Sequence, residues 1–272
     1  MSHSAIDIEL RLLMEAVYAK YSHDFRDYSG ASMKRRVLHA MQQLQCGTVS
    51  ELQSRVLHDP GAFQQLLEIL TIPFTEMFRD PGYWLALRTQ VVPLLRTYPS
   101  LKLWVAGCST GEEVFSLAIL LQEEGLLERS MIYATDINPA VLEKARQGIY
   151  AVGAVRQHTA NYQASGGKRA FSDYYAAAYK SVRFDPELVR NVTFADHSLA
   201  TDTVFSETHL ISCRNVLIYF NRALQNRALG LFHDSLCHRG FLGLGSKESL
   251  DFSAWADRFD AVDRRERLFR KR

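Results

Sequence analysis

Leu101-Lys-Leu-Trp-Val-Ala-Gly-Cys-Ser-Thr-Gly-Glu-Glu-Val-Phe-Ser-Leu-Ala118 sets the fold class of this chain. Leu101–Ala106 reads as a buried strand, Gly107 and Gly111 as turn glycines, and Glu112 onward as a helix opening on two acids. Strand, glycine turn and helix in that order build a nucleotide-type pocket in an α/β sheet. The details narrow the ligand. A phosphate-gripping loop needs Gly-x-x-x-x-Gly-Lys-Ser/Thr, and Glu112 stands where the lysine belongs. A dinucleotide loop needs Gly-x-Gly-x-x-Gly, and the spacing here is Gly-x-x-x-Gly. Acids at a helix start compete with phosphate for the same backbone N–H groups. The loop therefore suits a nucleoside ligand that lacks phosphates and carries positive charge. S-adenosylmethionine, with its sulfonium and ammonium, is such a ligand.

Downstream, strand and helix alternate. Met131–Asp136 is a strand and Pro139–Gln147 a helix; Val192–Ala195 and Thr208–Cys213 are strands, Asn221–Leu236 a helix and Gly240–Gly245 a fifth strand, with Arg267–Arg270 as a closing edge strand. Alternating units imply a mostly parallel sheet covered by helices on both faces. Residues 151–190, with Gly166-Gly167 and four tyrosines, fit neither period. Upstream, the first eighty residues read as helical. Ile6 to Ala19 show helical spacing, and a second helix runs from Ser32 as N-cap to Leu44. Thr48-Val-Ser-Glu51 opens a third with capping-box spacing, and after Pro60-Gly61 a fourth spans Ala62–Leu70. Residues 81–96 form a helical bridge that starts at Pro81.

The composition excludes several function classes. A chain of 272 residues with 47% hydrophobic content can bury a large core. A net charge of +2 gives no global steering toward nucleic acid. Cys46, Cys108, Cys213 and Cys237 show neither Cys-x-x-Cys pairing nor metal spacing, which points to reduced thiols and no metal. No stretch approaches a membrane span and the N-terminus has no apolar signal core, so a soluble, cytoplasmic protein is expected.

Three further segments carry candidate chemistry. Asp136 ends the second strand 29 residues after Gly107, where an acid accepts from ribose hydroxyls; Thr135-Asp-Ile-Asn-Pro139 also reads as a helix cap. Arg214-Asn-Val-Leu-Ile-Tyr-Phe220 follows the fourth strand, so Asn215 and Tyr219 belong to the crevice at the strand ends, or else the segment simply starts a core helix. Leu70–Asp80 holds Thr75 and Arg79, the latter suited to a carboxylate through its planar fork; a hinge with solvated Arg79 and Asp80 is the other reading. Lys34, Arg35 and Arg36 form a basic run, either a solvated helix face or a docking face for an acidic partner.

These pieces in order resemble the chemotaxis receptor methyltransferases, S-adenosylmethionine-dependent protein-glutamate O-methyltransferases. The resemblance rests on Thr71–Asp80, Ala106–Ala118, Ala134–Tyr150, Ser212–Phe220 and Leu244–Leu250. It implies a Rossmann-like class I methyltransferase α/β domain over 99–272, with a small antiparallel subdomain inserted at about 151–190. A helical N-terminal domain at 1–80 and a helical linker at 81–98 would precede it. By family position Thr75, Arg79, Gly107, Gly111, Glu112, Asp136, Asn215 and Val216 would bind the cofactor, and Arg79 and Tyr219 would act at the methyl transfer. The family pattern departs at Pro73, where Asn is common; at Ser198-Leu199, where an Asn-Leu pair is usual and which is kept as a cofactor contact; and at Gly245-Ser-Lys-Glu248. The implied substrate is the cytoplasmic helical bundle of a methyl-accepting chemoreceptor, met by Lys34, Arg35 and Arg36, and the product S-adenosylhomocysteine would inhibit. The 151–190 stretch reads as shorter than in members that tether to a receptor's C-terminal pentapeptide, so no tether is expected. A small-molecule methyltransferase on this fold and a catalytically idle cofactor-binding regulator remain the rival classes.

Overall fold

The computed structural model describes residues 4–71, 75–251 and 253–272. Pro73, which departs from the family pattern, lies outside them. The chain divides into two compact units: Met1–Pro73 with Ser198–Asp202 and Tyr219–Ala228, and Phe74–His197 with Thr203–Ile218 and Leu229–Arg272.

The first unit is built on four helices, α1 Ala5–Tyr21, α2 Gly30–Gln43, α3 Val49–His58 and α4 Pro60–Thr71. Their inward faces follow the apolar period: Leu13, Met14 and Val17 on α1, Val37 and Ala40 on α2, Leu52 and Val56 on α3, Leu66, Leu67 and Leu70 on α4 are buried. Thr48 caps α3 through the Glu51 N–H at 3.0 Å, while the Glu51 carboxylate turns back to the Gly47 N–H at 2.7 Å. Two expectations are corrected. Ser29, not Ser32, occupies the N-cap of α2, and Ser32 lies in its first turn. The fourth helix starts at Pro60 rather than Ala62, because proline is pre-shaped for a first helical turn whose N–H has no partner anyway.

The second unit opens on α5 Pro81–Ala86, a π turn Leu87–Val91 and α6 Val92–Leu95. The expected bridge is thus interrupted. Pro93 has no N–H to offer Thr89, and the turn widens so that the Val92 N–H reaches Leu87 O.

Its sheet contains β1 Leu101–Ala106, β2 Ser130–Asp136, β6 Val192–Asp196, β7 Thr208–Cys213, β8 Leu236–Leu244, β9 Phe259–Asp263 and β10 Leu268–Lys271. Their spatial order is β6-β2-β1-β7-β8-β10-β9. The first five run parallel, β10 pairs antiparallel with β8, and β9 antiparallel with β10. The expected closing strand is therefore interior to the sheet. The edge belongs to β9, whose half-exposed Phe-Asp-Ala-Val-Asp263 carries too little apolar signal to stand out. Helices α7 Glu112–Glu123, α8 Pro139–Gln147 and α10 Arg222–Ser235 link the strands. Both faces are covered. Leu103 and Val105 pack with Tyr83, Trp84 and Leu117, while the alternate residue Trp104 faces Phe205 and Phe232 at 4.9 and 5.5 Å between rings.

The stretch that defied a period in the sequence forms α9 Val155–Ala164 and a small antiparallel sheet, β3 Ile149–Ala151, β5 Ser181–Phe184 and β4 Tyr175–Ala178 in that order. Its strands are three or four residues long, and the alternation of Ser181–Phe184 is too brief to stand out in the sequence.

Candidate functional site

Strand order reverses at β1, with β2 on one side and β7 on the other, and in open α/β sheets the carboxyl ends at such a reversal form the ligand crevice. Gly107–Gly111 sits there. The Gly107 and Cys108 N–H groups both donate to Thr135 O at 2.8 Å, stitching the turn to the end of β2. Gly107 has φ +73°, and a Cβ on it would lie 2.5 Å from Val216 Cγ2. Gly111, at φ +95°, has Ala145 Cβ 2.7 Å from where its own would be. Each glycine is thus required twice, by backbone conformation and by close approach. Ser109 takes φ +50° without that freedom, and its N–H donates to Asp136 Oδ2 at 2.9 Å. Tyr150 of β3 donates to Thr110 O at 2.8 Å, fixing the loop from the inserted sheet.

Two acids line this turn. Asp136 accepts through Oδ2 from Ser109 and through Oδ1 from the Asn138 N–H at 3.0 Å. Burial nevertheless raises its carboxyl from the ordinary 3.8 to about 6, with neighbouring Asp196 adding to the rise. Glu112, 8% exposed, accepts from Thr110 Oγ1 at 2.7 Å, and burial raises it from 4.5 to about 7. Among the described residues neither acid forms a salt bridge with a lysine or arginine. Glu113 differs: it accepts from Ser212 Oγ at 2.6 Å and pairs with Arg214 at 3.4 Å. Of the two consecutive acids Glu112 is therefore the one left without a cation. Two desolvated carboxylates, Glu112 buried and Asp136 half-buried, without a cation beside a glycine turn fit a ligand bearing positive charge and hydroxyl donors, and S-adenosylmethionine has both.

The segment Thr75–Asp80 is tied down at several points. The Met77 carbonyl accepts from Asn161 Nδ2 at 3.0 Å, the Phe78 N–H donates to Ser116 Oγ at 2.8 Å, and the Arg79 carbonyl accepts from Trp84 Nε1 at 3.0 Å and Arg214 Nη2 at 2.9 Å. Phe78 and Asp80 take φ +50° and +53°. So many fixed groups hold an unfavourable backbone path, along which Thr75 and Arg79 are half-buried. Arg214, its side chain 1% exposed, also pairs with Asp80 at 2.8 Å and lies 4.3 Å above the Tyr83 ring. No role for Arg214 was evident in the sequence; the signal was an arginine at a strand end with acids at Asp80 and Glu113. Asn215 follows at φ +61°, and its N–H donates to Glu248.

The first unit holds the remaining candidates. The Ser198 N–H donates to Asp202 at 2.9 Å, its Oγ accepts from the Ala200 N–H at 3.3 Å, and Leu199 is buried. Tyr219 receives the Arg36 guanidinium 4.3 Å from its ring centre. Arg36 corrects its expected docking role: it is 4% exposed, donates to Leu70 O, and burial pulls its pKa down. Its Nε and Nη2 find no partner among the described residues. Lys34 pairs with Asp7 at 2.7 Å and Arg35 is exposed.

Comparison with known proteins places this geometry in a family. Residues 73–267 match the description "CheR methyltransferase, SAM binding domain", and residues 8–71 match "CheR methyltransferase, all-alpha domain". The chain belongs to the CheR methyltransferase family. It is 68% identical over 265 residues to Cher3 of Pseudomonas putida, a protein named provisionally as a methyltransferase, with 97% of each chain covered. It is 31% identical to the chemotaxis protein methyltransferase of Listeria innocua, covering 84% of each, and 31% identical to chemotaxis protein methyltransferase 2 of Pseudomonas aeruginosa, covering 79% of this chain and 76% of that one. This CheR-family enzyme is S-adenosylmethionine-dependent, and none of its described helices is long and apolar enough to cross a membrane.

With Glu112 and Asp136 facing a cationic ligand, the expected result is a pH-dependent affinity: their protons must leave for a cation to bind, so affinity for S-adenosylmethionine is expected to fall as pH drops below about 7 and again below about 6, by about tenfold per unit for each acid involved. For folding the sign is opposite. An acid whose pKa is raised on folding favours the ligand-free fold below its unfolded value, and that contribution is lost as pH rises through about 7 for Glu112. Calorimetric titration across this range checks the binding limb; an affinity independent of pH would contradict the assignment of both acids.

Proposed function

We propose that this CheR-family methyltransferase esterifies glutamate side chains on the cytoplasmic helical bundle of a methyl-accepting chemoreceptor. The observation that carries the reading is the acid-lined switch-point turn, Glu112 and Asp136 around Gly107–Gly111, in a chain with chemotaxis methyltransferases among its relatives. We assign Thr75, Arg79, Gly107, Gly111, Glu112, Asp136, Asn215 and Val216 to the cofactor. Ser198 and Leu199 at the cofactor, and Tyr219 at the methyl transfer, take their roles from family position alone. The functional division we propose is 1–80, 81–98 and 99–272.

The bound cofactor supplies an electrophilic methyl group. A glutamate, with an ordinary pKa of about 4.3, is already ionised at neutral pH and needs no general base. The enzyme's residues contribute alignment and exclusion of water. Arg79 holds a carboxylate through its planar fork, and Asp136 and Glu112 orient the cofactor's polar groups. Incubation with tritiated cofactor tests the reading: label passes to receptor fragments and not to small carboxylic acids, and label on the small acids alone would overturn it.

Docking falls to the exposed part of the basic run. Arg35, with Lys34 beside it, presents positive charge to a Glu-rich helix, while Arg36 serves the interior of its unit. Reversing Arg35 to glutamate lowers receptor methylation about tenfold, mainly through slower association, and leaves cofactor affinity unchanged. Equal methylation rates for Arg35→Glu and wild type would remove Arg35 from the docking face. The enzyme works without a receptor-tail tether; micromolar binding of a receptor C-terminal pentapeptide in calorimetry would refute this.

A further inference from the structure

Glu248 is a buried carboxylate with no basic partner among the described residues. It is 4% exposed. Its Oε2 accepts from the Gly245 N–H at 2.6 Å and the Asn215 N–H at 3.0 Å, and its Oε1 accepts from the Ile218 N–H at 3.2 Å. Main-chain N–H groups from two segments, Asn215–Ile218 and Gly245, thus converge on one carboxylate, and the chain fills this anion-binding concavity with its own side chain. Burying a carboxylate is costly unless its hydrogen bonds are made, so the arrangement persists only where the surroundings require it.

What the carboxylate holds is the start of the segment after β7. Asn215 is kept at φ +61°, a conformation a non-glycine residue seldom adopts. Val216, next in the chain, places Cγ2 where Gly107 has no Cβ, 2.5 Å from the position one would occupy. Gly245 is constrained from the same side, since a Cβ on it would lie 2.7 Å from the Asn215 nitrogen and 2.8 Å from Glu248 Oε2. A continuous line of contacts thus runs from Glu248 through Asn215 and Val216 to the glycine turn.

We infer that Glu248 is a positioning residue of the cofactor site, its carboxylate holding Asn215 and Val216 against the Gly107 turn. The inference rests on the assignment of Asn215 and Val216 to the cofactor. Glu248→Gln turns one acceptor oxygen into an amide that opposes N–H donors; Glu248→Asp keeps the charge on a shorter arm. Asn215→Gly removes the side chain and keeps the backbone path. Affinity for S-adenosylhomocysteine is measured by calorimetry well below each variant's melting temperature. Glu248→Gln loses at least tenfold in affinity, Glu248→Asp recovers part of it, and Asn215→Gly also binds more weakly. If Asn215→Gly weakens binding while Glu248→Gln matches wild type, the positioning role fails and the site assignment stands. If neither changes affinity, the assignment of Asn215 fails and takes the inference with it. Should Glu248→Gln not fold, hydrogen exchange of the wild-type Gly245, Asn215 and Ile218 amides decides: S-adenosylhomocysteine slows it at least tenfold, and unchanged exchange overturns the inference.

Discussion

Replacing Asp136 with alanine lowers the affinity for S-adenosylhomocysteine by about two orders of magnitude, with the fold retained. Asp136 carries two duties. Toward the protein it accepts the Ser109 and Asn138 N–H groups, holding Ser109 in its left-handed conformation and fixing the turn that leads to Asn138, the N-cap of α8. Toward the ligand it is assigned to the ribose hydroxyls. Each hydrogen bond to a charged acceptor is worth about 1.5–3 kcal/mol, and about 2.7 kcal/mol corresponds to a hundredfold loss. Asp136→Asn keeps an oxygen for one N–H and loses less. Isothermal titration on both variants checks the order wild type, Asn, Ala; an alanine variant that binds like wild type removes Asp136 from the site.

Arg214→Ala destabilises the second unit by about 3 kcal/mol, the low end for breaking a buried ion pair, because Glu113 and Asp80 are only partly buried. The guanidinium serves Asp80, Glu113 and the Arg79 carbonyl at once and lies over the Tyr83 ring. Without it the partly buried Glu113 keeps only the Ser212 hydroxyl among the partners seen here. The melting temperature falls by roughly 6–12 °C for a domain of this size, and the Arg79 segment loses its tie, so methyl transfer falls further than stability alone accounts for. Lysine does not rescue, because a single ammonium cannot bridge three acceptors and stack on a ring. Thermal unfolding followed by circular dichroism checks the shift; a melting temperature unchanged from wild type would show that the network is dispensable.

How far the sequence reached follows from the range of each signal. The glycine turn was legible because its determinants are local: φ +73° and +95° demand glycine wherever they occur, and Glu112 follows in the next turn. The parallel strands were legible from their apolar runs, since Leu103 to Ala106 are buried on both faces. The small inserted sheet was legible only through the family resemblance, because its strands are three or four residues long and alternation in Ser181–Phe184 alone is too brief a signal. The π turn at Leu87–Val91 hid inside a sound helical pattern, and only Pro93 pointed to it. Arg36 shows the limit most plainly. In the sequence it is one of three basic neighbours, and only the packing of Leu70 and Tyr219 around it separates it from exposed Arg35. Arg214 and Glu248 escaped for the same reason, since Arg214 pairs with Asp80 and Glu248 accepts from Asn215, contacts between residues far apart in the sequence.

The most direct measurement is the location and lability of the transferred methyl group. Enzyme is incubated with tritiated S-adenosylmethionine and a receptor cytoplasmic fragment, and the fragment is then treated with base and its peptides sequenced. The expected result is label on glutamate residues that is released as methanol by base, formed by wild type and lost with Asp136→Ala. Label that resists base, or that resides on any side chain other than glutamate, would contradict the assignment.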